Sequence, residues 1–243
     1  MNDDHFVGAY WGRRPEPAER CAQRAETFFQ LLSQAHPSYV SWYEKNNSTR
    51  RALQLGFEPT RDTFVRFFGK KKYQVGKDGF QFGAWTGHEK QDQGGMLTLC
   101  CGGDAEVAPN SVLFHFPIEP LGGERMLTLP VVTGVMRALA LAWEPDWALA
   151  TSTALWDELS RQGEADTFVG WMTYVTRRWG EVPALPEPVR VEPVDHLGTL
   201  ITLTPERLTS TRPDHVALGH QVQRLLEERG LLQKLLEPRA PPA

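Results

Sequence analysis

Cysteine and histidine are the residues of this 243-residue chain that could carry covalent chemistry. Cys100 and Cys101 end the apolar run 96–101, and a thiolate there would need a histidine base such as His88 or His115. Inside an apolar strand, however, cysteine commonly packs as a small hydrophobic residue. The sequence therefore favours a structural role for both cysteines. A small-molecule enzyme with a pocket near Cys100 and His115 is the alternative.

Metal, cofactor and acid–base chemistry have no matching pattern in the sequence. His215 and His220 are five residues apart on a predicted helix, which places them about 140° apart around its axis, too far for one metal ion. The chain contains no HExxH, CxxC, Walker or GxSxG motif. The acidic pairs 157–158 and 227–228 diverge because neighbouring residues on a helix point in different directions. We therefore expect no catalytic residue, no metal ligand and no cofactor.

Charge is unevenly distributed along the chain, whose formal net charge is −4. Residues 1–72 hold 12 Lys and Arg against 8 Asp and Glu, residues 73–165 hold 5 against 12, and the remainder holds 9 against 10. An acidic centre disfavours direct nucleic-acid binding, because neutralisation of phosphates dominates that affinity. It would instead attract a basic protein partner. A solvated acidic face without a partner is the alternative interpretation.

Two segments of this acidic centre combine aromatic with charged residues, namely Gly83–Asp92 and Trp143–Trp147. Tryptophan is a common anchor in protein interfaces, and exposed carboxylates steer association. The sequence therefore predicts partner binding by these segments, against the simpler alternative of two solvated loops. The predicted partner-binding residues are Trp85, Glu89, Asp92, Glu144 and Asp146, the four acids as exposed groups and Trp85 as an anchor.

Three well-marked helices must position these segments. A short aromatic strand turns through Gly12 into the first helix, Pro17–Ala35, and two further helices are predicted over Pro130–Trp143 and Pro213–Arg229. Each begins with a proline, which is favoured in the first turn, and carries apolar residues at three-to-four spacing. The apolar stripes predict that Phe28, Leu32, Val135 and Leu139 are buried. Thr60 is predicted to cap a shorter helix that ends at Phe68.

Alternating apolar residues and turn signals predict a mostly antiparallel sheet. The predicted strands are Phe80–Thr86, Met96–Cys101, Ser111–Phe116, Trp147–Thr151, Phe168–Arg177, Val189–Val194 and Thr199–Leu203. Because Leu113 is apolar like its neighbours, the pattern favours burial of both faces of its strand. The order of elements suggests two half-sheets within one α+β domain over residues 1–237, followed by a disordered tail, 238–243.

Composition is that of a cytoplasmic protein. No apolar run reaches the roughly 20 residues that cross a bilayer, and the acidic N-terminal segment does not resemble a secretory signal. Three cysteines, two of them adjacent, give no disulfide framework. We therefore expect a cytoplasmic location and no membrane partner.

Four segments resemble one known family. They are YWGRRPEPAERCAQRAETFF (10–29), FQFGAWTG (80–87), FVGWMTYVTRR (168–178) and LTPERL (203–208), and the likeness to the immunity protein 52 family extends over residues 5–232. This resemblance implies a cytoplasmic α+β protein that binds and neutralises a cognate toxin of a polymorphic toxin system, often a nuclease. It implies stoichiometric inhibition and no catalytic residues. A non-enzymatic scaffold that binds another protein is a further alternative.

Overall fold

One antiparallel sheet organises the fold. The computed structural model describes residues 3–76, 79–88, 94–106, 108–117, 126–160 and 167–236. Within these ranges ten strands lie in the order β3-β2-β4-β5-β6-β1-β7-β8-β10-β9. The strands are β1 (His5–Trp11), β2 (Trp42–Glu44), β3 (Gly56–Phe57), β4 (Phe80–Trp85), β5 (Met96–Cys101), β6 (Asn110–His115), β7 (Trp147–Ser152), β8 (Met172–Thr176), β9 (Arg190–Val194) and β10 (Gly198–Thr202). The predicted α+β class is confirmed.

The three predicted long helices are present, with boundaries within two residues of those expected. The helices of the described residues are α1 (Ala18–Ala35), α2 (Thr49–Ala52), α3 (Arg61–Phe68), α4 (Leu129–Trp143), α5 (Thr153–Leu159) and α6 (Pro213–Glu227). Thr60 caps α3 as predicted, because its side chain accepts a hydrogen bond from the backbone N–H of Thr63 at 3.3 Å. The predicted tail, 238–243, lies outside the described residues.

The N-terminal strand lies in the middle of the sheet. β1 pairs with β6 on one side and with β7 on the other, so it joins strands that are distant in sequence. The two half-sheets suggested by the sequence are therefore parts of one continuous sheet. The meander of β4, β5 and β6 is as predicted, and so is the hairpin of β9 and β10.

Helices α1 and α4 pack against each other over one face of the sheet. Gly134 of α4 allows this close approach, because a Cβ atom there would lie 2.7 Å from the Cβ of Ala35 in α1. Phe28, Leu32, Val135 and Leu139 are fully buried, as the helical stripes predicted. The indole rings of Trp11, at the end of β1, and Trp143, at the end of α4, stack with their centroids 5.5 Å apart.

The second face of the sheet is covered only in part. Every residue of β7 and β8 is buried, and Trp156 of α5 contacts Phe6 and Phe168 on this second face. In β5 and β6, by contrast, buried and half-buried residues alternate. The expectation that the strand around Leu113 is buried on both faces is therefore wrong, because this residue is half-buried and no such layer covers it within the described residues.

The predicted strand Phe168–Arg177 is shorter than expected. Only Met172–Thr176 forms strand β8. The backbone N–H of Gly170 donates to the side chain of Thr173 at 3.0 Å instead of to a neighbouring strand. The residues from Phe168 to Gly170 are nevertheless buried, which accounts for their apolar sequence.

Candidate interaction site

The two segments predicted to bind a partner lie far apart on the sheet. Trp85 in β4 lies at the level of Phe6 in β1, whereas Trp147, which ends the turn 143–147, pairs with Tyr10. Four strand spacings of about 4.8 Å and four residues of about 3.3 Å separate Trp85 from Trp147, which amounts to roughly 23 Å. The described parts of the two segments therefore do not form one cluster.

Trp85 is not an exposed anchor. Only 5% of the residue is accessible to solvent, and the indole nitrogen lies against Gly94, where a Cβ atom would come within 2.0 Å. The ring lies against Gly94 and forms one wall of a cavity of about 330 Å³, together with Lys45 and Met96. Glu89 and Asp92 lie outside the described residues.

Glu144 ends helix α4 in the left-handed backbone conformation, with φ of 46°. Its side chain is 47% exposed, and Oε1 accepts a hydrogen bond from Nη1 of Arg24 at 2.9 Å. Partial burial raises the pKa of Glu144, but the hydrogen bond and charge of Arg24, helped by the charge of Arg14, outweigh it, and the pKa is lowered overall. Glu144 is thus exposed as predicted, yet it is already paired within the chain.

Asp146 is also held by the chain itself. Its Oδ2 accepts from the backbone N–H of Gly12 at 2.8 Å, and its Oδ1 forms an ion pair with Arg178. The side chain is 19% exposed, less than the predicted role assumed, because these two partners enclose it. Asp146 thereby fastens the β1–α1 turn to the segment that follows β8.

Two arginines close the C-terminal end of α4. Arg14 donates to the carbonyl oxygen of Trp143 at 2.8 Å, and Arg24 donates to that of Ala142 at 2.9 Å. The last carbonyls of a helix have no partner within the helix and carry partial negative charge, so two cations at this position satisfy and stabilise them. Arg14 also lies over the ring of Trp11, with 4.8 Å between its guanidinium carbon and the ring centroid.

Arg14 and Arg24 form one wall of an open cavity of about 510 Å³, which we call the arginine cavity. The cavity is bordered by the end of α4, the segment after β8 and the turn between β9 and β10. Its lining residues are Arg14, Arg24, Glu144, Pro145, Tyr174, Thr176, Arg177, Arg178, His196 and Leu197.

Tyr174 contributes a hydroxyl group to the arginine cavity. The residue is 1% exposed, and its ring lies directly over Gly198, where a Cβ atom would come within 2.6 Å of the hydroxyl oxygen. In the described part of the chain this hydroxyl makes no hydrogen bond, and it is reached by solvent instead of being sealed in the core. Burial raises the pKa of Tyr174, so the group stays protonated and can donate a hydrogen bond at neutral pH.

Sequence reasoning missed the arginines and Tyr174, although a signal for them exists. Arg13 and Arg14 follow β1 after Tyr10, and Arg177 and Arg178 follow β8 after Tyr174. Both arginine pairs also lie within segments that carry the family resemblance. Because each arginine pair follows a strand with aromatic residues, the sequence could have suggested that the C-terminal ends of β1 and β8 lie near each other.

Four acids among the described residues of the central segment are paired with arginines from elsewhere. Arg13 forms ion pairs with Asp104 at 2.7 Å and with Glu106 at 3.4 Å. With the pairs of Glu144 and Asp146, this makes four acids of the segment 73–165 that face an arginine from outside it. The surface around these residues is therefore less acidic than the segment's composition indicates.

The alternative of a Cys100–His115 pair is not supported by the geometry. On the paired strands β5 and β6, Cys100 faces Ser111 and His115 faces Met96, which separates the two residues by about 13 Å along the strand. The His115 ring instead contacts Asp4, with 3.2 Å between Nδ1 and Oδ2. Neighbouring Cys101 is buried, and burial raises the pKa of its thiol, as expected for a core residue.

The described ranges contain no group of three or more His, Cys, Asp and Glu side chains placed to hold a metal ion. No helix in these same ranges combines the length and apolar character that a membrane span requires.

Comparisons with known proteins identify a family and a fold. The family model described as "Immunity protein 52" matches residues 3–235. Among solved structures, the chain is similar to the Pseudomonas aeruginosa T6SS protein PA0821, with 12% sequence identity and a TM-score of 0.54 over 92% of this chain and 76% of that one. At this identity the likeness concerns the fold alone. No curated protein sequence matches significantly.

Proposed function

The chain belongs to the immunity protein 52 family, and on that basis we propose that it binds and neutralises a cognate toxin of a polymorphic toxin system. The observation that carries this proposal is the extent of the match, residues 3–235, which is nearly the whole chain. A protein that acts in this way forms a stoichiometric complex with its target and transforms no substrate. The partner is therefore a protein.

We propose further that the toxin is a nuclease and that the complex forms in the cytoplasm. The family resemblance supports both points, and the composition of the chain supports the second. The acidic segment 73–165 is compatible with a toxin that is basic where it holds nucleic acid. Direct binding of nucleic acid or of a membrane is not part of this function.

A titration of toxin activity tests the proposed function. The cognate toxin domain is mixed with increasing amounts of this protein. We expect the activity to fall linearly and to vanish at equimolar ratio, with one complex in size-exclusion chromatography. Cys100→Ser and Cys101→Ser should protect as the parent does. Inactivation of excess toxin by a trace of this protein, or loss of protection in a folded serine variant, would instead show an enzyme.

Glu89 and Asp92 of the segment Gly83–Asp92 are proposed to steer the toxin. Exposed charges act mainly on the association rate, so Glu89→Lys/Asp92→Lys should slow association at low salt and weaken its salt dependence. Glu144 and Asp146 are left unchanged, because their reversal would release Arg24 and Arg178. Stopped-flow kinetics with the toxin domain measures the effect.

A matched control separates local steering from net charge. Asp157 and Glu158 are exposed on α5 and belong to the same acidic segment. Asp157→Lys/Glu158→Lys changes the net charge by the same amount as Glu89→Lys/Asp92→Lys. It should slow association less than that variant does. Equal slowing by the two variants would assign the effect to the net charge of the protein and not to Glu89 and Asp92.

A further inference from the structure

The arginine cavity is rich in hydrogen-bond donors whose acceptors are missing. Most of its acceptors are already used, because Oε1 of Glu144 binds Arg24, both oxygens of Asp146 are occupied, and the carbonyls at the end of α4 bind Arg14 and Arg24. The hydroxyl of Tyr174, by contrast, has no partner in the described residues. A ligand that fits this wall must therefore bring acceptor atoms.

The charge of the remaining donors selects an anion. Arg177 is 62% exposed at the cavity, and its ion-pair contact with Glu181 is long, at 3.9 Å. Arg178 uses Nη2 for Asp146 and Nε for the hydroxyl of Thr176 at 3.4 Å, which leaves Nη1, and His196 on the turn between β9 and β10 lines the same cavity. Guanidinium groups bind carboxylate and phosphate oxygens with paired hydrogen bonds, which are stronger than those between neutral groups.

We propose that the arginine cavity binds an oxyanion, and that in the complex with the toxin this anion is a carboxylate side chain of the toxin. The assignment of this anion to a toxin side chain rests on the proposed function. Arg177, Arg178 and Tyr174 bind the carboxylate, whereas Glu144 and Asp146 are positioning residues that hold the arginines in place. The volume of about 510 Å³ accommodates an acidic side chain with its adjoining backbone. The toxin surface at this point is therefore acidic.

Inorganic phosphate tests the oxyanion site in the protein alone. Phosphate should raise the melting temperature of the parent, and isothermal titration should give its affinity. Arg177→Ala and Tyr174→Phe should each weaken phosphate binding by roughly tenfold, the effect of losing one hydrogen bond to a charged group. Tyr174→Phe keeps the ring over Gly198, so it removes the hydroxyl without opening the core. Circular dichroism confirms that both variants fold.

A second arginine pair provides the matched control. Arg50 and Arg51 are exposed on α2, which follows β2 and is six strands, roughly 29 Å, from β8. Arg50→Ala/Arg51→Ala removes the same charge as Arg177→Ala/Arg178→Ala and should leave phosphate affinity unchanged. Equal loss in both double variants, or no phosphate binding by the parent, would overturn the oxyanion site.

The toxin domain then distinguishes a partner carboxylate from a free anion. Tyr174→Phe and Arg177→Ala should weaken toxin binding by roughly tenfold each, and phosphate should compete with the toxin. Binding of phosphate with unchanged toxin affinity in the variants would overturn the assignment to a toxin carboxylate and leave the proposed function intact. A parent that does not bind the toxin would contradict the proposed function, while the phosphate experiment still decides the oxyanion site.

Discussion

We expect Leu139→Ala and Leu32→Ala each to lower the free energy of unfolding by about 2–5 kcal/mol, the usual cost of a cavity in a packed core. Both side chains are fully buried between the paired helices α1 and α4 and the sheet. Urea denaturation followed by circular dichroism measures the change as a lower midpoint with an unchanged slope.

Leu53 provides the control for these core substitutions. It follows α2 and is 37% exposed, so Leu53→Ala should change the free energy of unfolding by less than about 1 kcal/mol. A Leu139→Ala variant with the midpoint of the parent would contradict the packing of α4 described above. It would also remove the physical basis for the helical stripe from which burial was predicted.

Helix positions were predictable because the evidence for them is local. The stripe that contains Phe28 and Leu32 repeats at helical spacing within one segment, and Thr60 is adjacent to the helix it caps. The positions of β5 and β6 were equally predictable from local sequence, although the burial of β6 on one face only was not, because Leu113 is apolar like its neighbours. Such patterns need no knowledge of what the segment packs against.

The order of the strands in the sheet was harder to predict from the sequence, because it depends on contacts between segments that are distant along the chain. The pairing of Gly8 with both Leu113 and Leu149 places β1 in the centre and joins what the sequence suggested were two half-sheets. Nothing in the composition of β1 specifies these neighbours. The buried residues Phe168 and Val169 likewise looked like strand, because apolar sequence reports burial and not backbone pairing.

The charge of the candidate site was misjudged for a related reason. A count along the chain assigns Glu144 and Asp146 to an acidic segment, yet their partners Arg24 and Arg178 lie 120 and 32 residues away. Ion pairs over such separations cancel charge that a segment count treats as free. The folded protein therefore places four arginines where the sequence predicted an acidic surface.

We expect Arg24→Ala to lower the free energy of unfolding by about 3–5 kcal/mol, the cost of removing one partner from a buried ion pair. The Arg24 side chain is 9% exposed, and its Nε donates to Glu16 at 3.1 Å, which is almost as buried. The substitution also leaves the carbonyl of Ala142 at the end of α4 without its donor. Because the loss is a loss of stability, urea denaturation of the protein alone measures it.

Arg20 provides an internal control, because it approaches the same carboxylate from the surface. Its side chain is 58% exposed and lies 3.9 Å from Glu16, so Arg20→Ala should cost no more than about 1 kcal/mol. The double variant Arg24→Ala/Glu16→Ala should be less destabilised than the sum of its single variants, since removing both partners leaves no uncompensated charge. Additive losses, or equal losses for Arg20→Ala and Arg24→Ala, would show that Arg24 acts as an ordinary surface residue and does not hold the end of α4 in place.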